Sequence, residues 1–297
     1  MSDLESCYAI CQRLARRSAS NFYVSFLLLP REKRRAMCAL YAYLRRADDL
    51  GDEEHQTVAV RKIAVEKLRF DLEQALGGQS ADPILKALAD TAARFKIPAE
   101  YLTVILDGVE MDLSGRRYER FEDLEEYCCR VASGVGLACI HIWGFSKPEA
   151  LESARRCGIA FQLTNILRDL REDAARGRIY LPREDLARFG YQEADLMRGT
   201  VNEAFESLIK FEAARADQYY ESAPQLEPLL DRDSRRVFCA MTATYRALLT
   251  KIKQSPAEIF KRRIRLSAWE KARIVVATLR NSSEQNRRAA RLESVAR

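Results

Sequence analysis

The chain has 297 residues, 47% of them hydrophobic and 31% charged, with a net charge of +6, enough to bury a sizeable core in one or two domains. No repeat of fixed period and no low-complexity segment is present. Met1 to Arg13 lacks the apolar core of a signal peptide, and the longest uncharged central stretch, Val131 to Ser146, is shorter than the ~20 residues a membrane span requires.

In chain order, helix-period apolar patterns run over 4–18, 31–50, 57–76, 83–95, 98–113, 121–145, 148–173, 203–222, 232–253 and 268–290, and no alternating strand pattern competes with them. The eight prolines and the Gly77-Gly78-Gln79-Ser80 break fall between these runs as helix punctuation, with no linker-like shift in composition. The prediction is an all-α fold in a single domain spanning 1–297, with a basic, frayed tail from about 281.

The run 31–50 leads into Asp48 and Asp52, four residues apart at its polar end. The run 121–145 contains Ala132, Ser133, Gly134, Gly136 and Ala138, small residues that either open room for a ligand or let helices pack closely. The run 148–173 ends in a row of oxygen-bearing side chains, Asn165, Asp169 and Asp173. Successive members of that row drift only about 40° around the helix and climb roughly 6 Å per step, so the three share one face. Acidic residues at this spacing are common on solvated helix faces. Two features argue against that reading. Arg45, Arg46, Arg168, Arg171, Arg176 and Arg178 crowd the same segments, and the apolar residues around Asn165 occupy most of the helix circumference, so the helix is expected to be buried. Facing acidic clusters of this kind suit Mg²⁺, which binds a few carboxylates together with substrate phosphates. The cations would clamp phosphate oxygens beside it.

The eight cysteines are scattered through helical runs and are read as reduced core residues. With only two histidines and no finger-like spacing, zinc is not expected. Gly134-Val135-Gly136 lacks the third glycine and the strand-turn-helix setting of a dinucleotide loop, leaving NADPH without a recognisable site. From 258 to 297 there are eleven Lys plus Arg against four Asp plus Glu, a net of +7, which leaves the preceding 257 residues at −1. Lys261, Arg262, Arg263 and Arg265 beside Ile264, Leu266 and Trp269 would suit an anionic membrane surface, the plain alternative being a solvated terminal helix. No nucleic-acid-binding module is recognisable.

Together these motifs resemble the squalene and phytoene synthases, the head-to-head trans-isoprenyl diphosphate synthases, over about Tyr8 to Leu279. The resemblance rests on an ordered set: Ser18-Ala19-Ser20-Asn21-Phe22-Tyr23 with Leu27-Leu28-Leu29-Pro30; Tyr41 to Glu53; Tyr127-Cys128-Cys129-Arg130-Val131-Ala132-Ser133-Gly134-Val135-Gly136; and Gln162 to Asp173 with Gly177-Arg178-Ile179-Tyr180-Leu181-Pro182. It implies an isoprenoid synthase helical bundle with a central cavity. It also implies metal ligation by Asp48, Asp52, Asn165, Asp169 and Asp173, with Mg²⁺ or Mn²⁺ as the metal. Arg45, Arg168 and Arg178 would bind diphosphate, and Ser18, Phe22, Tyr41, Tyr127 and Gln162 would lie along the substrate path, Tyr127 at the reacting centre. Gly51 departs from the family's usual β-branched residue, and since a helical Gly costs about 1 kcal/mol relative to Ala, the first motif is expected to fray there.

The implied reaction is condensation of two farnesyl diphosphates to presqualene diphosphate and on to squalene, with geranylgeranyl diphosphate and phytoene as the alternative. Two further readings compete: a head-to-tail synthase or terpene cyclase, whose Asp-Asp-x-x-Asp form Asp48-Asp49-Leu50-Gly51-Asp52 also matches, and a catalytically silent partner subunit. A cytoplasmic location with peripheral contact at the inner membrane face and a downstream isoprenoid enzyme complete the expectation.

Overall fold

The computed structural model describes residues 3–18, 21–53 and 55–280, excluding the side chains of Asn21 and Phe22. The expected frayed tail lies outside these residues. Sixteen helices are described: α1 (Asp3–Arg17), α2 (Asn21–Phe26), α3 (Arg31–Asp52), α4 (Val58–Leu76), α5 (Pro83–Phe95), α6 (Ala99–Leu113), α7 (Phe121–Cys128), α8 (Gly134–Trp143), α9 (Glu149–Ala175), α10 (Arg183–Arg188), α11 (Glu193–Arg198), α12 (Glu203–Tyr220), α13 (Ala223–Leu226), α14 (Arg235–Gln254), α15 (Glu258–Lys261) and α16 (268–280). No strand occurs among the described residues, only one bridge pair, Phe145 with Leu230.

Local chemistry sets many of the boundaries. Asp82 caps α5 by accepting from the amides of Ile84 and Leu85, with Pro83 at the first helical position. Thr57 caps α4 and Asn202 caps α12 in the same way. Periodicity misses α2, α10, α11, α13 and α15, each six residues or fewer and too short to show a face.

The run 121–145 is not one α-helix. Between α7 and α8 the backbone widens into a π-helical stretch over Cys129–Ser133, where two other helices come unusually close. A Cβ on Gly108 of α6 would lie 2.2 Å from Val131, and one on Gly158 of α9 would lie 2.8 Å from the Ala132 carbonyl oxygen. Single π turns of this kind admit an extra residue without ending the helix. The small residues here thus serve close packing, while Ala132 and Gly136 also reach cavity wall.

Two apolar clusters form the interior. One gathers α1, α3, α5, α6 and α8, with Leu40, Tyr43, Leu88 and Leu106 at most 1% exposed; the other gathers α7, α12 and the far half of α9, around Leu167, Phe205 and Ile209. Phe161 of α9 packs against both. α9 is the central helix, touching α8, α12, α13, α14 and α15, and that explains why its buried residues, from Ala150 to Ala174, lie on several sides of the helix rather than along one stripe.

Candidate active site

Asp48 and Asp52 on α3 and Asn165, Asp169 and Asp173 on α9 line one cavity of about 620 Å³, bounded by α3, α6, α8, α9 and α14. Its deeper wall is apolar, formed by Ile105, Val109, Val135, Trp143 and Phe161 among others. A second chamber of about 590 Å³ shares Leu44, Arg45, Asp48, Asn165, Arg168 and Tyr245 with the first and runs on to Phe26, Met37, Leu40 and Leu248. The polar groups therefore stand where two apolar chambers meet.

Gly51 does not end α3, which continues through Asp52. Gly51 is buried, and a Cβ there would lie 3.2 Å from Val109, so the glycine lets α3 approach α6. Packing against α6 offsets the propensity cost. The two acidic motifs are tied together through cations. Arg178 donates to the Asp52 carboxylate at 2.9 Å and to the Gly51 carbonyl at 2.7 Å, and Arg176 lies 3.1 Å from the other Asp52 oxygen. On α9, Asp169 accepts from Arg168 and, at 2.8 and 2.9 Å, from Arg263. Burial by itself would raise the Asp169 carboxyl, but these two guanidiniums outweigh it and hold the group below its ordinary range.

The remaining acids are poorly compensated. Asp173 is raised to about 7 by burial, with Asp169 adding to it. Asp48 is pushed up in the same direction by enclosure and then by Asp52. Its side chain is nevertheless exposed to the cavity, so a cation or a diphosphate entering there can reach it. Among the described residues no group of three or more His, Cys, Asp or Glu side chains is already close enough to hold a metal. The donor chemistry nevertheless fits a hard cation. Asn165 Oδ1 and Glu172 Oε2, both on cavity-lining residues, are buried with no hydrogen-bond partner. Such acceptors are costly unless something satisfies them, and oxygen donors beside carboxylates suit Mg²⁺.

The other predicted residues fall mostly on the same walls. Tyr127, Gln162 and Arg178 line the first chamber, Ser18 and Tyr41 the second, and Arg45, Arg168 and Asn165 both. Arg45 pairs with Asp49 at 2.6 Å, and Asp49 itself lines neither chamber. The Phe22 side chain lies outside the described residues. Arg46 and Arg171 leave the expected cation cluster: Arg46 pairs with Asp82, and Arg171 donates to the Lys261 carbonyl. Both point off the cavity face because their positions on α3 and α9 are rotated away from the acids.

Several lining residues escaped the sequence reading. Asp112 on α6 accepts from Tyr180 at 2.8 Å and Tyr127 at 3.1 Å, and burial raises its carboxyl. Tyr127 and Tyr180 stack with ring centroids 5.1 Å apart, and Tyr118 packs on both. Asp112 has no acidic neighbour at helical spacing; the available signal was an acid on the same face as Ile105 and Val109. Arg263, Tyr245 and Glu172 also reach the cavity.

A sequence profile described as squalene/phytoene synthase matches residues 15–270. The chain is similar to the phytoene synthase of Mycobacterium tuberculosis, 38% identical over 95% of this chain and 93% of that one. It is similar to the 15-cis-phytoene synthase of Synechococcus elongatus, 36% identical over 94% and 95%. Among solved structures it is similar to a dehydrosqualene synthase in complex with ligand, with TM-score 0.87 and 29% identity over 95% of this chain and 98% of that one. It also resembles the squalene synthase HpnC from Alicyclobacillus acidocaldarius, with TM-score 0.79 and 29% identity over 86% and 96%.

Proposed function

We propose that this chain, which belongs to the squalene/phytoene synthase family and is therefore a prenyltransferase, acts as a single synthase unit that joins two C20 prenyl diphosphates head to head. The observation that carries the reading is the pair of apolar chambers meeting at one acidic and basic junction. Two prenyl tails can lie in separate chambers with both diphosphates at the shared polar mouth. Support for C20 donors over the C15 donors favoured by overall resemblance comes from relatives named phytoene synthase at 35–38% identity over most of the chain.

In this reading Asp48, Asp52, Asn165, Asp169 and Asp173 hold Mg²⁺, with Glu172 beside them. Bound Mg²⁺ supplies positive charge against the leaving diphosphate. Arg45, Arg168 and Arg178 orient the diphosphate oxygens by charge-assisted hydrogen bonds. Phe161, stacked on Tyr245 at 4.5 Å, and Tyr127 present aromatic faces to the cation formed when diphosphate departs. The apolar walls keep water from that cation until the second donor's double bond attacks it. Asp112 fixes the hydroxyls of Tyr127 and Tyr180, so both rings keep one orientation.

Condensation of two C20 donors releases two diphosphates and two protons and needs no hydride, so this reading requires no reductant. The test is product analysis by mass spectrometry with Mg²⁺ and either donor, with and without NADPH. A C40 hydrocarbon from geranylgeranyl diphosphate, independent of NADPH, is expected. The similarity to dehydrosqualene and squalene synthase structures supports a second reading: a C30 product from farnesyl diphosphate, with geranylgeranyl diphosphate inert, would replace the first. A cyclic product from either donor, or a chain longer by C5 once isopentenyl diphosphate is added, would instead place the protein with cyclases or chain-elongating enzymes.

A further inference from the structure

The four cations expected to meet a membrane do not act together. Arg263 turns inward onto Asp169, and Lys261 and Arg262 pair with Glu258. The outward face of α16 presents a different set. Trp269, Arg273, Val276 and Arg280 recur at helical spacing and are all exposed, Trp269 at 85% and Val276 at 47%. The opposite side of α16 is committed: Lys271 lines the second chamber, Ile274 packs on the core, and Thr278 is buried. Outward Trp269 is therefore not the result of a detached helix.

α2 stands on another wall of the same chamber. Phe26 faces in and is 2% exposed, whereas Val24 of α2 and Leu27, just past its end and beside a separate cleft, are 48% and 52% exposed. Exposed Ser18, Arg263 and Arg265 also line this chamber and mark its mouth. Two segments bearing outward apolar side chains thus border one opening into an apolar cavity. Exposed large side chains grouped in this way mark an interaction surface.

From this we infer that the outer faces of α16 and α2 form a docking surface for an anionic lipid bilayer, set beside the mouth of the second chamber. The charge of the occupant follows from the net +7 of residues 258–297 against −1 in the remainder. Its lipid character follows from Trp and Val alternating with Arg along one helix face. Arginine stems lie along the acyl boundary while their heads reach the lipid phosphates, and Trp sits at headgroup depth. Docking here sets an apolar cavity against an apolar phase. Its purpose rests on the proposed reaction, whose tails and product are apolar, but the binding itself does not.

The test uses the full chain without substrate. Vesicles of mixed anionic and zwitterionic phospholipid should cosediment with the protein at low salt and release it at high salt. Zwitterionic vesicles alone should bind weakly. Tryptophan emission should shift to the blue on binding, because Trp143 is already buried at 3% exposure and Trp269 is the reporter. Trp269→Phe should abolish that shift, and Arg273→Gln with Arg280→Gln should weaken binding by about 5-fold per cation removed. Turnover of detergent-dispersed substrate should be unchanged in these variants, which separates failure of docking from failure of the reaction. No cosedimentation of wild type with anionic vesicles at low salt would overturn the inference. So would concentration-dependent self-association that Trp269→Ala abolishes, since the face would then belong to a second copy.

Discussion

Replacing Asp169 with Asn separates the charge of the acidic row from its shape. In the wild type this carboxylate faces Arg168, 14% exposed, and Arg263, 40% exposed. Asn keeps one acceptor oxygen but loses the negative charge, so one buried guanidinium is left against an amide. A hydrogen bond to a charged group contributes about 1.5–3 kcal/mol. The Arg263 contact is exposed enough to count for little. We expect a loss of roughly 2 kcal/mol, a fall in Tm of about 4–8 °C, and unchanged far-UV circular dichroism at 25 °C. The effect on catalysis should be larger, because a neutral amide neither holds Mg²⁺ well nor balances two arginines that would otherwise meet diphosphate. Loss of one such electrostatic element costs about 10²–10³ in rate. The assay is Mg²⁺-dependent diphosphate release under saturating donor, run beside Asp49→Asn. Asp49 lines neither chamber, and its pair with Arg45 is exposed on both sides, so loosening that pair should leave the variant within about 3-fold of wild type while Arg45 keeps its charge. Turnover of Asp169→Asn within about 2-fold of wild type, at intact stability, would refute the assignment of the row to the metal and diphosphate site.

Two further perturbations address the scaffold. Gly158→Ala adds a Cβ 2.8–2.9 Å from backbone atoms of Ala132 and Ser133, which cannot rotate away. Overpacking of about 1–3 kcal/mol should exceed the roughly 1 kcal/mol gained in helix propensity. Urea denaturation should show a net loss, and a more stable variant would contradict the close helix approach. Glu212 and Asp185 share Arg215, with bonds of 2.7–2.9 Å, and one guanidinium cannot neutralise two buried carboxylates. Burial raises Glu212 to about 8, Arg215 opposing and Asp185 adding to the shift. Between an unfolded value near 4.5 and about 8 the folded protein keeps a proton that the unfolded chain releases, so stability falls as pH rises through that window. Glu212→Gln should flatten the fall by roughly 1–2 kcal/mol. Parallel stability curves for the two proteins would show that Glu212 titrates normally.

The helices and both acidic motifs were legible in the sequence because their signal is local. Period and proline punctuation place α3, α5, α6 and α9 within a few residues, and four-residue spacing alone puts Asn165, Asp169 and Asp173 on one face. What each acid meets was decided by tertiary structure. Arg178 reaches Asp52 across 126 positions and Arg263 reaches Asp169 across 94, while Arg46, adjacent to Arg45, turns to Asp82 instead. Asp112 joined the site only because α6 packs beside α3, with Gly51 letting the two helices close. The same packing turned an apparently continuous helix into α7, a π turn and α8 where Gly108 and Gly158 press on Val131 and Ala132. A helix period constrains neighbours within two turns, whereas ion pairs, orphaned acceptors and cavity walls depend on which helices lie against each other in space.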